Sequence, residues 1–69
     1  MKRFLIAFDL PRELASEKVK VNRELHKISA KRVQHSLWSS DSLSDLTEIG
    51  ILIRKLGGNS QILEEKFLL

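Results

Sequence analysis

A small antiparallel sheet with two helices packed on one face, an α+β fold, is what this chain of 69 residues predicts. Three observations carry that expectation. Residues 3–10, RFLIAFDL, alternate as a strand does; two later stretches repeat their apolar residues at helical spacing; and these segments fall in the order strand, helix, strand, helix, strand with nothing between them that divides the chain. The whole of 1–69 therefore reads as one domain.

In the first strand Phe4, Ile6 and Phe8 point one way and Leu5, Ala7 and Asp9 the other. Both sets are largely apolar, as in a central strand covered on both sides. Pro11 has no N–H to donate to a ladder and suits the first turn of a helix. Leu14, Val21, Leu25 and Ile28 then share one stripe, so residues 12–29 read as an amphipathic helix with its cations mostly off the stripe.

Residues 31–40, KRVQHSLWSS, read as the second strand, with Val33, His35 and Leu37 on one face and Arg32, Gln34, Ser36 and Trp38 on the other. Ser42 followed by Asp45 has the spacing of a helix-capping box. Leu46, Ile49, Ile53 and Leu56 make the second helical stripe, and Gly57-Gly58 ends it. Gly50 inside that helix costs about 1 kcal/mol relative to Ala, which points to close packing there. The tail, NSQILEEKFLL, reads as a last strand whose alternation is broken at Glu64-Glu65, leaving a bulge, an edge strand or a loop open.

A chain of this size buries only about 60% of its unfolded surface, and with no Cys it has neither disulfides nor thiolate metal sites to help it. Self-association is the remaining route. If both helices cover Phe4, Ile6 and Phe8, the face with Leu5, Ala7, Gln34, Ser36 and Trp38 lies open, and pairing of two such faces would bring Asp9 near its symmetry mate. The apolar run FLIAF is too short for a signal segment, which needs roughly 7 to 15 apolar residues, or for a membrane span. A soluble, cytoplasmic protein without membrane partners is the expectation.

Lys and Arg outnumber Asp and Glu by 12 to 9, and the excess is concentrated in Lys18, Lys20, Arg23, Lys27, Lys31 and Arg32, against Glu24 alone. Such a stretch attracts polyphosphate; equally, it serves as a solvated helix face. His26 and His35 have no metal-ligand partner at a telling spacing, and no nucleophilic triad can be built around two His residues.

The strand end FLIAFDL followed, after one helix, by RVQHSLW resembles the CRISPR-associated protein 2 family, whose pattern is an aliphatic strand ending in Asp and a later Arg-aliphatic-Gln-x-Ser-aliphatic-aromatic segment. Here those positions are Asp9 and then Arg32, Val33, Gln34, Ser36, Leu37 and Trp38. The virulence-associated protein D family, which includes ribonucleases, shares the AFDL-like strand end and a comparable Gln-x-Ser-Leu-aromatic segment. Trp38 replaces the more usual Phe or Tyr, the glycine that often follows is missing, and the chain continues only briefly past its last strand.

The resemblance implies a ferredoxin-like fold, a homodimer, and metal-dependent cleavage of RNA or DNA in antiviral defence. Alternatively it implies a non-catalytic nucleic-acid-binding scaffold that works with a spacer-integration nuclease subunit. It carries to Asp9 the role of holding a magnesium ion shared across the dimer, and to Arg32 that of a phosphate clamp. Lys18 and Lys20 would steer nucleic acid. Ser36 would donate to a phosphate or lie on a dimer-facing strand, and Trp38 would stack on a base or pack at the dimer interface. From the residues alone Asp9 is also a solvated strand end or a helix cap, and Arg32 a surface ion-pair partner.

Overall fold

The computed structural model describes residues 3–65. Alternation in RFLIAFD builds β1, Arg3–Asp9, and sends Ile6 and Phe8 into the core. Pro11 then starts a short 3₁₀ turn, Arg12–Leu14, before the helix α1, Ala15–Lys27. The expected helix over 12–29 is therefore shorter at both ends. Its stripe holds: Val21 and Leu25 are buried, with Ile28 packed against them.

The expected single strand over KRVQHSLWSS is instead a hairpin. β2, Lys31–Gln34, turns at His35-Ser36 into β3, Leu37–Ser40. Arg32 lies opposite Trp38 and Gln34 opposite Leu37, so Val33 is the extra residue of a bulge. A two-residue turn plus a bulge reverses the face assignment. Trp38, opposite Ile6 on β1, points at the helices and is only 1% exposed. Gln34 and Leu37 share the opposite face.

Ser40 and Ser42 set the entry to α2, Leu43–Lys55: Ser40 Oγ accepts the Ser42 N–H at 3.1 Å, and Ser42 Oγ accepts the Asp45 N–H at 3.3 Å, as the capping spacing predicts. Leu46, Ile49 and Ile53 are buried beneath it. The close packing expected at Gly50 is present, since a Cβ there would lie 3.1 Å from Ser60 Oγ. β4, Asn59–Glu65, pairs with β1 residue by residue from Asp9↔Asn59 to Arg3↔Glu65 with no register shift. The Glu64-Glu65 interruption thus belongs to a regular edge strand, and the rest of the predicted tail strand lies outside the described residues.

The sheet order is β2-β3-β1-β4 with every pairing antiparallel, and the expected five-element core becomes β-α-β-β-α-β once the hairpin is counted. This is the small ferredoxin-like α+β arrangement. One core of Ile6, Phe8, Val21, Leu25, Trp38, Leu46, Ile49 and Ile53 lies between sheet and helices. The register puts Leu5, Ala7, Leu37 and Leu63 together on the other face, with Asp9 at one end of it. Among the described residues no helix is long and apolar enough to cross a membrane.

Both helices end in the same way. After α1 the N–H groups of Ser29 and Ala30 bond to the carbonyls of His26 and Leu25; after α2 those of Gly57 and Gly58 bond to the carbonyls of Arg54 and Ile53. Each is a Schellman turn, which needs a left-handed residue at its first position past the cap. Gly57 supplies it freely at φ 100°, whereas Ser29 is held there at φ 60°.

Candidate functional site

The C-terminal end of β1 is where polar side chains from four elements meet. On one side a groove of about 480 Å³ is lined by Ala7, Asp9, Arg54, Asn59 and Gln61. On the other a groove of about 610 Å³ is lined by Ala7, Gln34, His35, Ser36 and Leu37. Phe8 borders both, and its N–H donates to the Ser36 carbonyl at 3.0 Å, which ties the hairpin turn to the strand carrying Asp9.

Asp9 is exposed at this end, opposite Asn59, and its side chain caps no helix. The corner around it is tightly built. Gly58 starts the return of the chain toward β4, and a Cβ on it would fall 2.5 Å from the Asp9 carbonyl oxygen and 2.9 Å from Ile53 Cγ2. Only a glycine lets the two backbones approach so closely. The Gly57 N–H in turn holds the Arg54 carbonyl at 3.1 Å, so the backbones of Asp9 and Arg54 are fixed through the same pair of glycines.

Arg32 belongs by register to the helix-facing side but stands at the sheet edge, exposed, and its guanidinium contacts His35 Nδ1 at 2.6 Å. A guanidinium only donates, so His35 Nδ1 is the acceptor in this contact. Arg32 is thereby held beside the second groove through the turn residue His35. His26, on α1, packs its ring against Trp38 in a T-shaped arrangement with centroids 5.1 Å apart.

Several expectations change. Trp38 is in the core, so its indole has no open face for a base and does not sit on the uncovered face of the sheet. Its Nε1 and the Oδ1 of Asn22 on α1 are buried without a hydrogen-bond partner among the described residues. Ser36 is a half-buried turn residue, no longer on a strand in one row with Arg32, Gln34 and Trp38. Lys18 and Lys20 are exposed on α1, in the layer on the other side of the sheet from Asp9, and line neither groove. In the basic stretch Lys27 pairs with Glu24 at 2.9 Å, an exposed contact that contributes little.

Arg54, Asn59 and Gln61 are the groove residues that sequence reasoning missed. The signal lay in Gly57-Gly58, which folds β4 back along β1 and makes residues 54 and 59 neighbours of Asp9.

The hard oxygen donors of Asp9, Asn59 and Gln61 suit a magnesium ion that keeps several waters. Among the described residues no three His, Cys, Asp or Glu side chains gather to hold a metal, and Asp9 is the one carboxylate lining this groove. Neither a protein-family model nor a curated protein matches the chain.

Proposed function

We propose that the protein is a homodimeric nucleic-acid-binding protein of the CRISPR-associated protein 2 type, a magnesium-dependent nuclease acting on RNA or DNA phosphodiesters at the end of β1. The observation that carries this reading is the convergence on exposed Asp9 of oxygen donors and an arginine, beside an uncovered face bearing Leu5, Ala7, Leu37 and Leu63. Two copies paired through that face contribute one Asp9 each, which turns a lone carboxylate into the pair that a hard cation needs. A bound magnesium ion there supplies an activated water and charge neutralisation at phosphate. Asp9 would hold the ion, and Arg32, oriented by His35, would grip a neighbouring phosphate with its planar fork.

The single carboxylate lining the groove also favours a second reading, a scaffold that binds nucleic acid and serves a separate integration nuclease without chemistry of its own. Asp9→Asn separates the two. For a nuclease, magnesium-dependent cleavage of labelled RNA or DNA falls at least about a hundredfold while the dimer persists in sedimentation. Wild-type protein that binds with EDTA present but never cleaves supports the scaffold. Cleavage by Asp9→Asn at the wild-type rate sinks the catalytic reading, and a monomeric wild type sinks both.

A further inference from the structure

Arg54 is the unexplained cation of the Asp9 groove. It is exposed in the last turn of α2, and its guanidinium has no hydrogen-bond or ion-pair partner among the described residues, although Asp9 lines the same groove. It also lines the adjoining groove between α2 and β4, with Thr47, Ile51, Ser60 and Ile62, so it reaches over the β4 edge toward the end of the sheet. The Gly57-Gly58 turn fixes its backbone against that of Asp9.

Electrostatics gives this placement a meaning. A phosphodiester approaching Asp9 meets a like charge, and its approach is favourable only where a fixed positive group offsets that repulsion. Among the described residues Arg54 is the one cationic side chain lining the groove. Trp38 is in the core and Phe8, which borders the groove, is only 6% exposed, so among the described residues no aromatic face lies open to a base on this side. We propose that Arg54 binds a backbone phosphate of the nucleic acid in the Asp9 groove. This rests on the reading that the end of β1 meets nucleic acid, and it holds for nuclease and scaffold alike.

The test is fluorescence anisotropy of the full chain with labelled oligothymidylate and oligouridylate in EDTA, over about 50 to 200 mM salt. Arg54→Gln should bind both strands about tenfold more weakly, with the log–log salt slope shallower by about one. Arg54→Lys should keep the slope and recover part of the affinity, because it restores charge without the fork. Lys55→Gln, a neighbouring exposed cation that lines neither groove, should change both quantities much less. Equal losses in Arg54→Gln and Lys55→Gln, or an Arg54→Gln protein that binds like wild type, overturn the assignment while the parent reading stands. A wild type that binds neither strand overturns both. Unchanged circular dichroism and melting for each variant keep any loss assigned to the groove.

Discussion

The two β-α-β halves of this domain finish their helices with the same hydrogen-bonded turn and then diverge. In the second half Gly57-Gly58 closes α2 without strain and leads into β4, which pairs with β1 along seven residues without a shift. In the first, Ser29-Ala30 closes α1 with a serine at φ 60°, and β2 that follows is four residues long, exposed at every position and bulged at Val33. The stiff half fixes the backbone of Arg54 near that of Asp9 at the end of β1, and the looser half carries Arg32 and runs into the turn with His35. A site spread over both has one precise jaw and one adjustable jaw.

That contrast can be broken or sharpened by substitution, with urea denaturation at constant m as the measure. Trp38→Ala removes the indole on which both halves close and should cost about 3 to 5 kcal/mol, a large part of the stability of a domain this small. Gly58→Ala should follow at about 2 to 3 kcal/mol, because its Cβ meets the Asp9 backbone and the stiff corner must open. A loss under half of that would show that the corner yields easily. Ser42→Ala deletes the α2 cap and should cost about 1 kcal/mol. Smallest and opposite in sign, Ser29→Gly should add about 0.5 kcal/mol: it relieves a left-handed serine, and the greater freedom of the unfolded glycine takes back part of the gain. If Ser29→Gly destabilises instead, the two helix ends are not equivalent in energy.

The stiff half was the more legible one, since the Ser42 to Gly58 stretch carries its own start and stop signals. In the first half β1 is announced by the alternation of Phe4, Ile6 and Phe8. The hairpin was not legible, because its turn is made of His35 and Ser36 and has none of the Gly, Asn or Pro that mark a tight turn. Simple alternation through an unmarked turn and a bulge assigns Trp38 to the wrong face, and the base-stacking expectation went with it. Asp9 was picked out by its place at a strand end and by a resemblance. Arg54 was missed because its nearness to Asp9 comes from strand return, which no local pattern records.

The single Trp of the chain lies under α1 in a T-shaped contact with His26, on the side of the sheet away from Asp9's face. Its emission is therefore a private gauge of the fold: blue while the interior stays closed, red once water enters. Oligonucleotide titrations and melting curves can be followed at one wavelength each in the same cuvette, and a variant that loses its ligand but keeps a blue indole has lost chemistry rather than structure.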